Sequence, residues 1–472
     1  MGDDDMNTTT IERNGRRRER NRWFVSRAAV ALVAFVLPLV ACQGLLDVSD
    51  PDIVTPDNLA DELGIQTLRN GALGNFVLAY AGGGQTDNQI MNSGLMTDEW
   101  MHSGTFPTRQ EVELRIIPTD NTTMDGVYLN LHRARVDLEA AAEKIGGFVS
   151  DPNADARIPE MLAYAGFTYI AFGEDYCSGV PFSFAPDEGP IEYGEPQTTE
   201  QIFERAVARF DEVLAHAAAS DAIANMARVG RGRALLNLNQ PDAAASAVAA
   251  VPDEFVIYTE HSNNSGRERN DIYEFNYTAK RWSVGDNEGI NGLDFRSSGD
   301  PRIVAELDPR MGFDETSELW VLKNYQSRGD AVAIVTGVEA RLIEAEAALR
   351  DGDAAGWLAI LNQLRADFAT LAPILYRDHP PSGVLAPLAD PGTTVAREDL
   401  MFRERAFWLF STAHRLGDMR RLVRQYGRDA ESVFPTGPYF KAGSTYGTDV
   451  NFPIPQDERN NPNFTGCLNR NP

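Results

Sequence analysis

Three stretches of this chain combine flat aromatic side chains with amides, carboxylates and guanidinium groups. The first is Asp98-Glu99-Trp100-Met101-His102. The second carries Tyr273, Tyr277, Arg281, Trp282, Asp286 and Asn287, and the third carries Trp320, Lys323, Asn324 and Tyr325. Such a mixture suits a polyhydroxylated ring, because an aromatic face covers the apolar CH side of a pyranose while polar groups at its edge read the hydroxyls. Trp100, Tyr273, Arg281, Trp282, Trp320 and Tyr325 are therefore the candidate ligand-binding residues. For any one aromatic among them the competing reading is a rim residue that caps the core. Catalytic patterns are weaker. His102, His132, His216, His261, His379 and His414 include no pair at metal-ligand spacing, and the chain has no H-E-x-x-H, no G-x-S-x-G and no phosphate-binding loop. No metal and no cofactor are expected. A glycosidase-like carboxylate pair stays open, since Asp and Glu together number 69.

The start of the chain decides which residues belong to the working protein. Seven arginines between Arg13 and Arg27 make a basic leader, followed by an apolar run from Ala28 to Leu39. That run has the length of a signal-peptide core and falls short of the ~20 residues of a membrane-spanning helix. Leu39-Val40-Ala41-Cys42 then resembles a bacterial lipobox, in which the cysteine thiol is diacylated and the peptide is cut just before it. Residues 1–41 are thus expected to be a lipoprotein signal peptide, and Cys42 the lipid-bearing residue. Gln43 rather than Asp follows, so the inner-membrane retention signal of enterobacteria is absent and the outer membrane is the expected address. Acyl chains contribute ~0.8 kcal/mol per buried CH₂, so two or three of them anchor a soluble domain without help from its surface.

Residues 1–41 hold seven Arg against five acids, so their removal takes the formal charge from -26 to -28. So acidic a body repels polyanions, which excludes an electrostatic nucleic-acid binder. Cys177 and Cys467 then remain in an oxidising compartment. One disulfide tying the C-terminus to the middle of the chain is one reading, and two separate thiols are the other.

Helical periodicity dominates the elements that must position these residues. Leu131, Ala134, Leu138, Ala141 and Ile145 form one stripe over 130–145, and 161–172 reads as a second helix. Thr198 with Gln201 makes a capping box ahead of Phe203, Ala206, Phe210 and Val213. The segments 234–244 and 345–355 resemble each other, with Leu238 matching Leu349 and Asp242 matching Asp353. Each ends one helix, turns at Pro or Gly, and starts an Ala-rich second helix, as tetratricopeptide-type hairpins do. Ala227, Gly230 and Ala234 supply a close-packing face. The period is not constant, so the expected fold is mainly α, a degenerate tetratricopeptide-like helical-repeat scaffold with an irregular, loop-rich subdomain at about 258–335. The runs 82–84 and 370–394 are also rich in loop formers. The prolines around Phe452 predict an extended C-terminal strap.

Four local patterns in order resemble the SusD/RagB family and span nearly all of residues 42–472. They are the post-cysteine start with Asp47 to Pro56; Gly337 to Ala347 with its Ala345-Glu346-Ala347, followed by Asn362-Gln363-Leu364-Arg365; Glu404-Arg405 with Arg415-Leu416-Gly417-Asp418-Met419-Arg420-Arg421; and Phe452-Pro453-Ile454-Pro455 with Asn461-Pro462-Asn463. Thr412-Ala413-His414-Arg415 stands where the family often has Glu-Gly-x-Arg. The resemblance implies a surface-exposed outer-membrane lipoprotein that binds glycans or other oligomeric nutrients, catalyses nothing, and delivers its ligand to a SusC-like TonB-dependent transporter. Glu404, Arg405, Arg415 and Asp418 read as scaffold, forming ion pairs at three- and four-residue spacing worth ~0.2 to 0.5 kcal/mol each. Trp357, Phe407 and Trp408 read as core. A surface glycoside hydrolase and a helical-repeat envelope adaptor are the competing functions.

Overall fold

A computed structural model of the chain describes residues 61–186, 189–441 and 443–472. Cys42, the leader and the post-cysteine run lie outside the described residues. Helix α1 (Glu62–Tyr80) opens where the Asp61 side chain accepts the Gly64 amide at 2.7 Å. Short helices α2 (Gln89–Met96) and α3 (Pro107–Glu113) follow, with strand β1 (Trp100–His102) between them. Helix α4 (Thr122–Phe148) buries all five residues of the predicted stripe. It starts eight residues earlier than periodicity predicts, because Asn121 caps the Met124 amide and burial of Met124 and Val127 overrides the poor helix formers Thr122, Thr123 and Gly126. Helix α5 (Arg157–Asp175) is almost wholly buried.

Strands β2 (Val180–Pro181) and β3 (Pro196–Gln197) pair before α6 (Thr199–Ala215), which is opened by both halves of the Thr198/Gln201 box at 3.2 and 2.9 Å. Helices α7 (Asp221–Asn237) and α8 (Pro241–Val248) form the first hairpin, and α9 (Gly337–Arg350) and α10 (Ala354–Ala366) the second. Packing runs in series from α1 through α4 to α10, the connectivity of a helical-repeat scaffold. The small residues set the spacing. Gly166 on α5 and Gly230 on α7 both meet the ring of Phe210 on α6, and a Cβ at either would fall within 2.6 or 2.3 Å of it. The fold is mainly α and tetratricopeptide-like, as expected.

Helix α11 (Phe368–Leu375) corrects the reading of 370–394 as loop throughout. Its Pro373 is tolerated inside one short helix whose Phe368, Leu371, Ala372 and Leu375 are buried. Helices α12 (Thr394–Trp408) and α13 (Arg415–Tyr426) complete the scaffold, with Trp357, Phe407 and Trp408 in the core. Across the loop-rich region run β4 (Val256–Thr259), β5 (Trp282–Val284), β6 (Ala305–Met311), β7 (Glu318–Leu322) and β8 (Val332–Thr336). All pairings are antiparallel: β1 with β5, β4 with β8 and β6 with β7. The C-terminal segment is an extended strap. Its Phe452 amide donates to the Asp175 carbonyl at 2.7 Å, its Phe452 carbonyl accepts from Cys177 at 2.9 Å, and Cys467 is disulfide-bonded to Cys177.

The ion pairs of α12 and α13 are not mainly local. Arg405 meets Asp418 at 2.7 Å, Arg421 meets Asp418 and Glu346, Arg415 meets Asp98 at 2.8 Å, and Arg302 and Arg365 both meet Glu404. Nearly all these groups are buried and link different elements, so they behave as interior charge pairs rather than as surface pairs on one helix.

Candidate functional site

Asn270 opens a single helical turn, Asp271–Tyr273, by accepting the Tyr273 amide at 3.1 Å. The turn widens into a π-helical segment, Glu274–Thr278, a geometry that recurs at functional sites. Tyr273 and Tyr277 thereby stack, with ring centroids 5.1 Å apart and planes 25° from parallel. Arg310 of β6 reaches across so that its guanidinium lies 4.4 Å from the Tyr277 ring centroid, steadied by Asp308 at 2.7 and 2.8 Å. Arg328 pairs with Glu274. The loop bearing Arg328 is shaped by Asp330, whose carboxylate accepts the Gln326 and Ser327 amides at 2.6 and 2.9 Å. Tyr273, Tyr277, Arg310 and Arg328, together with Asn263, Thr278, Gln326 and Ser327, line an open cavity of about 420 Å³.

The floor is rigid. Buried Asn276 donates to the Trp282 and Trp320 carbonyls at 2.7 and 3.0 Å and accepts the Leu322 amide at 2.8 Å, tying the π segment to β5 and β7. Asp271 accepts the Gln85 and Thr86 amides at 2.7 and 2.9 Å, and burial pushes its carboxyl up to about 7. The glycine run at 82–84 is explained here, since a Cβ on Gly83 would sit 1.9 Å from the Arg267 carbonyl oxygen. Burial also pushes the Tyr273 hydroxyl above its ordinary value, so it remains a neutral donor and acceptor. Two stacked rings flanked by guanidinium, amide and hydroxyl groups can cover the face of a sugar ring and bond its edge.

The predicted residues divide. Tyr273 lies in the cavity wall. Trp100 and Trp282 do not act as platforms: the pairing of β1 with β5 turns both indoles into the core, each at 0% exposure. Tyr325 is likewise buried, edge-on to Tyr376. For these three the core reading replaces the ligand reading. Trp320 is partly buried, with the Arg296 guanidinium 4.6 Å from its ring centroid and its indole N–H bonded to Glu318 at 2.9 Å. Arg281 stands outside this cavity, between Phe106 and Phe313. Sequence reasoning missed Arg310, Gln326, Ser327 and Arg328 as cavity residues. The four-residue spacing of Tyr273 and Tyr277 was a usable signal, whereas the two arginines come from distant segments.

A second cavity, about 260 Å³, contains Arg302, Arg365 and Arg403, but each is bonded to a carboxylate, Glu404 or Asp294. Among the described residues there is no group of three or more His, Cys, Asp or Glu placed to hold a metal ion. No described helix is long and apolar enough to cross a membrane.

No family model and no curated protein sequence matches the chain. Solved structures do. A SusD-like protein from Bacteroides fragilis superposes with a TM-score of 0.61 at 12% identity, covering 88% of this chain and 98% of that one. Surface glycan-binding protein A from Bacteroides uniformis gives 0.60 at 15%, covering 86% and 99%. A laminarin-binding SusD-like protein gives 0.59 at 14%, again over 86% and 99%. With TM-scores of 0.59 to 0.61 over 86–88% of this chain and nearly the whole of those, the protein shares the fold of these SusD-like structures.

Proposed function

We propose that the protein captures glycans at the stacked Tyr273/Tyr277 surface, as a lipid-anchored component of a nutrient uptake system. The observation that carries this reading is the tyrosine pair itself, set with Arg310 and Arg328 in an open cavity of about 420 Å³. Capture rather than hydrolysis is supported by the lining, which offers cations, amides and hydroxyls, whereas a glycosidase needs two carboxyls flanking the scissile bond. Solved proteins of the same fold that bind laminarin or other glycans add support. Anchorage through Cys42 at the outer membrane, and delivery to a SusC-like TonB-dependent transporter, belong to the same proposal and rest on the lipobox and the sequence resemblance. Calorimetric titration with a panel of neutral oligosaccharides, alongside an assay for new reducing ends, is the test. Binding without new ends is expected, and Tyr277→Ala should weaken it by roughly 1 to 3 kcal/mol, the range for loss of one stacking platform. Unchanged affinity in a folded Tyr277→Ala protein would remove the site, and new reducing ends would favour the hydrolase.

A further inference from the structure

A second surface carries chemistry that the tyrosine cavity does not use. Three segments meet there and are pinned by hydrogen bonds. The Ser103 amide donates to the Arg281 carbonyl at 2.9 Å and its hydroxyl to the Lys280 carbonyl at 2.9 Å, while the Phe313 and Asp314 amides donate to the Lys280 and Ser103 carbonyls at 2.7 and 3.0 Å. This frame places the Arg281 guanidinium 4.8 Å from the Phe106 ring centroid and 4.9 Å from that of Phe313. Both rings are 44% exposed, so each keeps apolar surface free for a ligand.

Among the described residues, the Arg281 side chain makes no hydrogen bond and no ion pair; the rings alone hold it. None of its N–H groups meets a protein acceptor, although the chain has an excess of 26 acidic charges. The nearby acids are committed elsewhere: Asp87 takes both contacts from Arg109 at 2.9 Å, and Asp314 takes Lys441 at 2.9 Å and the Ser317 hydroxyl at 2.7 Å. Burial first, and Arg109 second, hold the guanidinium below the usual arginine value, with Asp87 acting in the opposite sense. Arg109 is also 4.7 Å from the Phe106 ring, so that ring has two cations beside it. The patch is a cation with no directly bonded counter-charge, bounded by apolar faces.

We infer that Phe106, Arg281 and Phe313 form an anion subsite that takes the carboxylate of an acidic saccharide, a uronate, with the phenyl rings against the CH face of its ring. The guanidinium fork matches a carboxylate in bidentate geometry, and the pinned backbone fixes the fork before the ligand arrives. An acidic body repels an acidic ligand at long range, so only a local uncompensated cation can select one. The inference deepens the glycan reading and rests on it.

The test is calorimetric titration of the full chain with a pentamer of galacturonic acid, its methyl ester, a neutral glucan and polyglutamate, using the parent, Arg281→Gln and Arg281→Lys. The parent should bind the free acid at least tenfold more tightly than the ester at low salt. Arg281→Gln should abolish that preference and leave neutral-glucan affinity unchanged, and Arg281→Lys should retain part of the preference. Circular dichroism confirms folding. Equal affinity for acid and ester, a preference that survives Arg281→Gln, or equally tight binding of polyglutamate would overturn the subsite while leaving neutral-glycan capture intact. Failure to bind any of the saccharides would instead overturn the glycan reading and this inference together.

Discussion

Glu346 is a buried carboxylate in the scaffold's interior charge network, and Glu346→Gln tests that network. The side chain is fully buried; it bonds Arg421 twice, accepts the Tyr426 hydroxyl at 2.8 Å and lies 3.8 Å from Arg405. Burial pushes its carboxyl up, but Arg421 and Arg405 outweigh burial and hold it below the ordinary value. With Asp418 the cluster balances two cations against two anions. Glutamine keeps the shape and removes one anion, leaving a buried excess cation and an amide N–H₂ facing guanidinium donors. Breaking a buried pair in this way costs about 3 to 5 kcal/mol. At an unfolding entropy of roughly 2.1 cal/mol/K per residue, that corresponds to a fall of about 3.5 to 6 °C in Tm for a domain of ~400 residues. Glu212→Gln is the control: its carboxylate is 50% exposed beside Arg209, and an exposed pair contributes at most about 1 kcal/mol. Calorimetric melting of both variants at neutral pH decides. A loss at Glu346 no larger than at Glu212 would refute the assignment of an interior charge network.

Other outcomes follow from the same structure. Burial raises Glu99 to about 8, so between its ordinary value and pH 8 the folded state keeps a proton that the unfolded state releases. Stability should therefore fall as pH rises through that window, by up to ~1.4 kcal/mol per pH unit from this group. Urea denaturation from pH 5 to 8.5 should show a shallower slope in Glu99→Gln, though not a flat one, because Asp271 and Glu288 are raised in the same sense; an unchanged slope counts against it. Cys467→Ser opens a loop of 290 residues and should lower unfolding free energy by up to about 5 kcal/mol, read from denaturant midpoints. Two free thiols counted in the denatured, oxidised parent would contradict the bridge. Cys42→Ala should release the protein from membranes on cell fractionation, since the lipobox supplies the expected anchor; full membrane retention would argue for another one.

What was legible in the residues was whatever depends on near neighbours. The stripe from Leu131 to Ile145, the Thr198 capping box, the paired hairpins at Asn237–Pro241 and Arg350–Ala354, and the extended backbone that the prolines impose around Phe452 all follow from residues a few positions apart, although where that strap docks, on Asp175 and Cys177, does not. The choice between face and core for an aromatic does not. Trp100 and Trp282 sit in stretches as polar as any loop, yet the register of β1 against β5 sends both indoles inward, and a strand's inward face is defined only by what packs on it. Tyr273 and Tyr277 stay accessible because a π-helical turn, held from below by Asn276, aims them outward. Arg310 and Arg328 join them from segments more than thirty residues away, as do Glu346 and Arg421 across 75 residues in the scaffold. Local sequence determined the helices and their ends; only the tertiary structure decided which charges meet and which rings face water, because burial and long-range pairing are properties of the packed chain and not of any one segment.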